Sequence, residues 1–344
     1  MRPVSARPAT ASRTALCVCL AMATAPRVAV PADPMSGPEP KAVVVPQALR
    51  SHVPMVELSG LAWAASLERY LVIVDDSIDT DGNERHGAFL LTLGRDGHLD
   101  PEPVPVEGVN AIDDAESLTA GPDNTFFLLT SHAPNKKGKL KKARRQLLRM
   151  KLDGRRLKVT GELDLYQGKH DLSDQLEKVG FPRDTPVDIE ALTFHAGALF
   201  FGFKAPLLAD GAAMIMRLDR AAEAFEKGKL GPGSLYPWGK VSLSVRPLQG
   251  GGPHVSEGIA DMQFSADGSL YLCANSPKGR TNDGGGALWQ VAKPKGDRME
   301  AKLVRRFPGL KPEGVTVAPD GRALTIVFDR NSRDPLWTSW PLGD

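Results

Sequence analysis

Short apolar runs alternate with turn residues along most of the chain, and a four-residue phrase precedes five of these runs. The copies of the phrase begin 53 to 74 positions apart, and each is followed by a turn and an apolar run that ends in polar residues. A strand-rich unit repeated at this spacing is typical of a β-propeller blade. The phrases occupy residues 59–62, 116–119, 190–193, 260–263 and 313–316, and the runs occupy residues 70–74, 126–129, 199–203, 270–273 and 324–328.

The repeat predicts an all-β fold that consists of a single β-propeller over residues 42–344. Five copies favour five blades, and a sixth, degenerate blade in one of the longer gaps is the alternative. Turns such as Ala-Pro-Asp-Gly at residues 318–321 fit hairpins, because Pro presets φ and Gly accepts positive φ. The final unit stops after its third strand, at residues 336–340. The apolar residues 42–45 are predicted to supply its outer strand and so to close the ring.

The first 32 residues are predicted to be a cleaved export signal. Arginines precede a short apolar segment at residues 15–25, which ends in a sequence that resembles a cleavage site. Cleavage near Ala32 and a disordered tail are the alternatives. Residues 33–41 are polar and proline-rich, and they are predicted to form a flexible lead-in. We therefore expect an exported protein, periplasmic or secreted, and a monomer.

The composition and charge of the chain bear on whether it spans a membrane or binds a nucleic acid. Charged residues make up 24% and hydrophobic residues 42% of the 344, which is ordinary for a globular protein. No apolar stretch reaches the roughly 18 residues that a membrane-spanning helix needs. Removal of residues 1–32 takes away four arginines and no acid, which changes the formal net charge from +2 to −2. Nothing in this balance suggests a nucleic-acid partner.

Acidic residues recur at one position of the repeat, where the innermost strands of a propeller converge on its axis. Small residues dominate the next position, as expected where strands crowd together. A hairpin puts the start of its first strand beside the end of its second, so polar residues at the ends of the second strands should lie at the same mouth. The first position holds Ser59, Glu116, Glu190, Ala260 and Glu313, the next holds Gly60, Ser117, Ala191, Asp261 and Gly314, and the second strands end in Asp75, Asp76, Ser131, His132, Lys204, Asn275, Asp329 and Arg330.

Several carboxylates around a narrow axis repel one another, since two charges about 5 Å apart cost about 3 kcal/mol at an effective dielectric of about 20. The cluster therefore needs a bound cation, a bound proton, or counter-charges from Lys204, Arg330 and His132. Oxygen ligands without cysteine suit Ca²⁺ or Mg²⁺ better than Zn²⁺. The alternative is that the glutamates cap backbone amides of neighbouring blades and only hold the ring together.

Two insertions interrupt the repeat. Residues 136–145 carry seven positive charges between the second and third strands of blade two. A solvated hairpin loop is one interpretation of this segment, and a contact for an anionic ligand or membrane surface is the other. Residues 171–179 are predicted to form a short helix that is capped by Asp171 or Ser173 and lies over one mouth of the ring.

Three phrases, at residues 57–62, 188–192 and 311–315, resemble a group of bacterial β-propellers that includes the esterase-like phytase family and the SdiA-regulated family. The resemblance implies an exported propeller whose glutamates surround a channel mouth that holds calcium. By analogy with the calcium-dependent propeller phytases, the metal ligands would be Glu116, Glu190, Asp261 and Glu313, and Lys204 and Arg330 would hold the anionic group of a substrate.

Three functions follow from these observations. The first is an exported propeller that binds a small ligand or a divalent metal at its acidic mouth. The second is a calcium-dependent hydrolase of phosphoesters or esters, with metal-activated water as the nucleophile, because the sequence has no G-x-S-x-G, H-E-x-x-H or P-loop motif. The third is a protein-interaction scaffold that uses residues 136–145. The predicted ligand-binding residues are Lys204, Arg330, His132, Asn275, Asp76 and Asp329.

Overall fold

Each copy of the repeat forms the innermost strand of one antiparallel sheet, and the sheets are arranged as the blades of a propeller. The computed structural model describes residues 36–74, 89–109, 111–167, 170–246, 253–277, 285–330 and 333–342. Over these residues, five sheets of three to five strands are present, with one further two-stranded sheet. The innermost strands contact one another in a closed ring. The prediction of an all-β, five-bladed propeller is confirmed.

The strands follow the chain from blade to blade. Strand β1 (Lys41–Ala42) comes first, and blade one contains β2 (Leu58–Ala64), β3 (Arg69–Val74) and β4 (Leu90–Leu93). Blade two contains β5 (Val106–Glu107), β6 (Ala115–Ala120), β7 (Thr125–Thr130), β8 (Leu147–Asp153) and β9 (Arg156–Leu163). Blade three contains β10 (Asp188–His195), β11 (Ala198–Ala205), β12 (Ala213–Leu218) and β13 (Leu235–Val241).

The two-stranded sheet follows blade three and contains β14 (Ser244–Val245) and β15 (Val255–Ser256). Blade four contains β16 (Gly258–Phe264), β17 (Leu270–Asn275), β18 (Gly286–Val291) and β20 (Lys302–Phe307), while β19 (Arg298–Met299) adds to the edge of blade three. Blade five contains β21 (Lys311–Val317), β22 (Ala323–Asp329) and β23 (Leu336–Pro341).

The N-terminal segment closes the ring. Strand β1 pairs antiparallel with β23, so it is the fourth strand of blade five. The chain then continues to blade one, where Val44 pairs with His98 and its carbonyl accepts a hydrogen bond from Leu99. The predicted closing strand is therefore confirmed, and its sheet pairing begins one residue earlier than expected, at Lys41.

The apolar core lies largely between neighbouring blades. Phe200 of β11 packs against Phe264 of β16 with ring centroids 5.1 Å apart. Phe307 of blade four meets Phe328 of blade five at 4.9 Å. Such aromatic pairs contribute about 0.5–1.5 kcal/mol beyond their area burial, so the blades are fixed against one another as well as by the central ring.

Three α-helices and a short 3₁₀ helix occur among the described residues: α1 (Gln47–Arg50), α2 (Leu172–Lys178), α3 (Ala221–Lys227) and the 3₁₀ helix Lys142–Arg144. None of them is long and apolar enough to cross a membrane. Helix α2 begins after Asp171, whose side chain accepts a hydrogen bond from the Asp174 amide at 3.0 Å. Its Leu172 and Leu176 are buried in the same apolar cluster as Ile189 at the start of blade three.

Several predictions fall on residues outside the described ranges. These are the export signal at residues 1–32 and the predicted site residues Asp75 and Asp76. The signal stays a prediction. Within the predicted lead-in, the Pro38 carbonyl accepts a hydrogen bond from Arg305 at 2.8 Å, which connects this segment to blade four.

Close packing at the axis explains the small residues of the repeat. A Cβ placed on Gly60 would lie 2.5 Å from the Leu118 amide nitrogen, and one on Gly314 would lie 2.1 Å from the Ser59 carbonyl oxygen. Both contacts are with the backbone of the next blade, which has no flexible side chain to move aside. Glycine is therefore required here because adjacent inner strands approach each other closely.

We expect Gly314→Ala to lower the free energy of unfolding by about 1–3 kcal/mol, because the added methyl group forces two inner strands apart. Gly231→Ala is the matched control, since the nearest atom to its Cβ would be the Ser234 hydroxyl at 3.8 Å. Urea unfolding of both variants gives the comparison. Equal stability of the two variants would contradict close packing at the axis.

Candidate metal and ligand site

A β-bulge occurs in every blade at the repeat position that carries glutamate in three of them. In blade two the pairing passes from Ala115–Thr130 to Ser117–Leu129, which leaves Glu116 without an opposite residue. Blades one, three, four and five show the same irregularity. A bulge turns a side chain out of the regular alternation of a strand. The residues so displaced are Ser59 and Gly60 in blade one, then Glu116, Glu190, Ala260 and Glu313.

In blade three a second irregularity brings a lysine to the bulge. The pairing passes from Asp188–Ala205 to Ile189–Phe203, so Lys204 also has no opposite residue. The Lys204 Nζ lies 2.5 Å from Glu190 Oε2 and 3.9 Å from Glu313 Oε2 of blade five. All three side chains are buried. The predicted co-location of Lys204 with these glutamates is thus observed, as a buried ion-pair network between two blades.

Three carboxylates converge beside this lysine, and we call them the carboxylate site: Glu116, Asp188 and Glu190. Each offers an oxygen within 4.8 Å of the oxygens of the other two, and all three side chains are buried. Oxygen ligands that lie 2.3–2.6 Å from a Ca²⁺ ion are at most about 5 Å from one another. The spacing and the donor type therefore fit Ca²⁺.

Asp188 is not among the metal ligands predicted from the sequence, although it begins the phrase at residues 188–192. It is the first residue of β10, two positions before the bulge. Alternation within a regular strand would place residues 188 and 190 on the same face. That spacing is the signal in the sequence that could have identified Asp188.

Glu313 belongs to a neighbouring ion-pair cluster. Its Oε1 lies 3.2 Å from the Nζ of Lys311, and Lys311 also donates a hydrogen bond to Asp329 at 2.7 Å. Burial alone would lower the pKa of Lys311, but the carboxylates of Glu313 and Asp329 outweigh it and raise that pKa to about 12. Lys311 therefore stays charged. It is not among the site residues predicted from the sequence.

Burial and close charges shift the pKa values of both Glu190 and Lys204. Burial raises the pKa of Glu190 well above its usual value, with Asp188 and Glu313 adding to the rise and Lys204 opposing it. Burial alone would lower the pKa of Lys204, but Glu190, Glu313 and Asp188 together raise it well above its usual value. The lysine is thus charged, and the raised pKa of Glu190 favours either a proton on its carboxylate or a further positive charge beside it.

Asp261, a predicted metal ligand, lies outside the carboxylate site and connects blades at the axis. Its carboxylate accepts hydrogen bonds from the Ser117 hydroxyl at 2.9 Å and from the Val315 amide at 2.7 Å. The Ser117 oxygen accepts in turn from the Leu192 amide at 2.9 Å. Asp261 and Ser117 together therefore connect blades two, three, four and five. Asp261 lies outside the carboxylate site because the bulge displaces Ala260 instead and returns Asp261 to the regular alternation of β16.

The other predicted ligand-binding residues lie at different places in the fold. Asn275 donates a hydrogen bond to the Pro312 carbonyl at 3.3 Å and so links blade four to blade five. Asp329 pairs with Lys311, and Arg330 follows it at the end of β22, partly buried. His132 lies just after β7 and is fully buried. Among the predicted ligand-binding residues that the structure describes, only Lys204 forms an ion pair with a member of the carboxylate site.

The basic segment 136–145 is partly built into blade two. Arg144 is buried, and it pairs with Asp113 at 3.1 Å and with Asp114. Arg145 pairs with Asp164 at 2.5 Å. The three lysines nearer its start, Lys136, Lys137 and Lys139, are exposed. The segment thus has an anchored end and an exposed, positively charged end.

Comparison with known proteins shows similarity of structure only. No protein-family model and no curated protein matches the chain. An exo-β-1,3-galactanase from Phanerochaete chrysosporium matches over 83% of this chain with 7% identity and a TM-score of 0.44, and the match spans 60% of that protein's length. A family GH43 β-1,3-galactosidase matches 84% of this chain and 91% of its own, with 10% identity and a TM-score of 0.47.

A luciferin-regenerating enzyme is similar over 89% of this chain and 96% of its own, with 8% identity and a TM-score of 0.41. At these identities and TM-scores, the similarities carry no information on activity or substrate. The chain is a five-bladed β-propeller with a buried cluster of carboxylates and lysines on and beside its inner strands.

Proposed function

We propose that this β-propeller binds a divalent cation, with Ca²⁺ as the best fit, at the carboxylate site. The observation that carries the proposal is the convergence of three buried carboxylates, with one oxygen of each within 4.8 Å of the others. At that distance each charged pair costs about 3 kcal/mol at an effective dielectric of about 20. Lys204 offsets part of this repulsion, and a bound cation would reduce it further.

The ligand set leaves room on the ion. Ca²⁺ takes six to eight oxygen ligands, and the carboxylate site supplies three side chains. Water or a small anionic ligand would complete the coordination. This supports a propeller that binds a small ligand through its metal, which is the function we consider best supported.

A metal-dependent hydrolase of phosphoesters or esters is the second candidate, favoured by the same open coordination and by the resemblance to esterase-like phytases. When bound, the ion would polarise a substrate oxygen and lower the pKa of a water. Lys204 and Glu190 would orient the groups around it. Within the described residues, burial raises the pKa of the Cys273 thiol well above its usual value, which makes it an unsuitable nucleophile. Chelator-sensitive release of phosphate from phytate would support this candidate.

We expect saturable binding of Ca²⁺ to the chelator-treated protein, measured by calorimetry, together with a rise in Tm. Glu116→Gln should weaken the binding by roughly 100-fold, because one of three charged ligands is lost. Glu102→Gln removes an exposed carboxylate that is not part of the carboxylate site and serves as the control. The proposal fails if the wild-type protein binds no Ca²⁺, or if Glu116→Gln binds it as well as the control does.

A further inference from the structure

The exposed end of the basic segment 136–145 is a patch of positive charge, which we call the lysine tip. It consists of Lys136, Lys137, Gly138 and Lys139, and all four residues are exposed. Within the described ranges, no carboxylate lies within ion-pair distance of its three lysines, although the next lysine along the chain reaches one at 3.8 Å. The tip therefore presents three positive charges to solvent.

The lysine tip is held in one conformation by its own turn. The Asn135 side-chain oxygen accepts hydrogen bonds from the amides of Lys137 and Lys139, both at 3.0 Å. The Asn135 amide donates to the Lys139 carbonyl at 2.9 Å and thereby closes the turn. A Cβ placed on Gly138 would meet no atom of a described residue within 4 Å, so the turn faces open space. The three ammonium groups are thus carried by an ordered turn that an extended surface can reach.

The other four cations of the basic segment are paired within the protein. Both arginines pair with carboxylates of blade two, and the two remaining lysines have carboxylates at 3.8 and 3.7 Å. The acidic partners are Asp113, Asp114, Glu162 and Asp164. Seven cations therefore face four carboxylates, which leaves an excess of three positive charges. The exposed Asp184 lines a cavity beside Gly138, and counting it still leaves an excess of two.

The type of cation and the lack of apolar surface indicate what the tip fits. Lysine is a compact, strongly hydrated charge, whereas arginine forms planar, bidentate contacts. Protein–protein interfaces are enriched in aromatic residues, Met and Arg and are depleted in Lys. Val44 is the one large hydrophobic residue that is exposed in the described parts of the chain, and it lies outside the tip. These features favour an electrostatic contact with a surface of distributed negative charge over an interface with another protein.

We propose that the lysine tip is a docking surface for the anionic headgroups of a lipid bilayer. Its ammonium groups lie among the headgroups, and no side chain of the tip enters the hydrocarbon region. Each lysine near an anionic membrane surface strengthens binding roughly fivefold, so three strengthen it roughly 100-fold. Because salt screens this attraction over about 8 Å at physiological ionic strength, the contact is reversible and sensitive to salt.

The test measures co-sedimentation of the full-length protein with phosphatidylcholine vesicles that contain or lack phosphatidylglycerol, with a chelator present throughout. We expect tighter binding to the anionic vesicles at low salt and loss of this preference at high salt. Replacing Lys136, Lys137 and Lys139 together by serine should weaken binding roughly 100-fold, while replacing them by arginine should preserve it.

The matched control replaces three other exposed lysines by serine and so gives the same net charge. These are Lys293, Lys295 and Lys302. We expect this variant to bind the anionic vesicles within roughly fivefold of the wild-type protein, because the proposal depends on a local cluster of charge rather than on total charge.

A second readout requires no variant. Lysines of the wild-type protein are acetylated with a water-soluble reagent, with and without anionic vesicles, and the modified residues are identified by mass spectrometry. Acetylation of the lysine tip should slow when the vesicles are present, while acetylation of Lys293 and Lys295 should not change.

The proposal is wrong if the wild-type protein binds neutral and anionic vesicles equally, if the serine variant of the tip binds as well as the control variant, or if vesicles leave acetylation of the tip unchanged. Tighter binding to soluble polyglutamate than to the vesicles, at equal concentration of negative charge, would also overturn it, since the tip would then fit an acidic protein. Because a chelator is present, failure of the calcium proposal would leave these results unaffected.

Discussion

Replacing Lys204 by methionine should lower the free energy of unfolding by about 3–5 kcal/mol, because it leaves the buried carboxylate of Glu190 without its cation. The Lys204 Nζ lies 2.5 Å from Glu190 and 3.9 Å from Glu313, and both carboxylates are buried. Methionine has a similar length and apolar character, so the loss measures charge rather than volume. Urea unfolding at neutral pH gives the comparison with the wild-type protein.

Lys240→Met is the matched control, since Lys240 pairs with Asp210 at 2.9 Å but both side chains are about one-third exposed. Exposed pairs of this kind contribute about 0–1 kcal/mol. Calcium supplies a further test of the carboxylate site. Saturating Ca²⁺ should stabilise Lys204→Met more than the wild-type protein, because the ion then replaces the missing positive charge. A Lys204→Met variant as stable as the control variant would show that Lys204 does not compensate the carboxylates.

Asp261→Ala should lower the free energy of unfolding by about 2–5 kcal/mol, since it leaves a buried hydroxyl and a buried amide without their acceptor. The Ser117 hydroxyl and the Val315 amide both donate to this carboxylate, and they belong to blades two and five. Asp261→Asn keeps the shape and one acceptor oxygen. We therefore expect it to cost less than half as much, and equal losses for the two variants would contradict a hydrogen-bonding role.

The pH dependence of the same pair of variants has a defined sign. Burial raises the pKa of Asp261 well above its ordinary 3.8, against the opposing hydrogen bonds from Val315 and Ser117. The folded state therefore binds a proton more tightly than the unfolded state does. This contribution to stability is present below pH 3.8 and is lost as the pH rises through the pKa of the folded protein. The stability advantage of the wild-type protein over Asp261→Asn should accordingly shrink as the pH increases.

The repeat predicted the blades because each inner strand must meet the same physical demands at the axis. Gly60 and Gly314 occupy positions where a Cβ would overlap the neighbouring backbone, so the sequence records the crowding directly. The missing strand of the last unit and the unpaired apolar residues near position 42 likewise indicated one another. Both signals are local patterns with a single structural explanation.

The residues of the carboxylate site could be predicted only in part. Each bulge adds one residue to a strand, so it changes the face on which the following side chains lie. Aligning the phrases grouped Glu116, Glu190 and Glu313 correctly at one position, but a bulge separates that position from regular alternation. Asp261 then connects inner strands at the axis, while Asp188 lies beside Glu116 and Glu190 in the carboxylate site. Lys311 was missed for a different reason, since its partners Glu313 and Asp329 lie on two strands of one hairpin.

The contacts of the His132 side chain could not be predicted from the sequence. The pattern placed it correctly at the end of a second strand. Its tautomer depends on one carbonyl, that of Thr130, and its ring stacks on Tyr166, which follows the last strand of blade two. Only the packed structure brings these groups together.

The pairing of β1 with β23 also sets the order in which the ring can form during synthesis. The ribosome makes β1 before any blade and β23 after the inner strands of all five. Strand β1 therefore has no sheet to join, and blade one lacks one of its two neighbours, until nearly the whole chain has emerged. During this time blade one has an apolar face uncovered. Exposed apolar surfaces of this kind lead nascent chains to aggregate or to recruit chaperones.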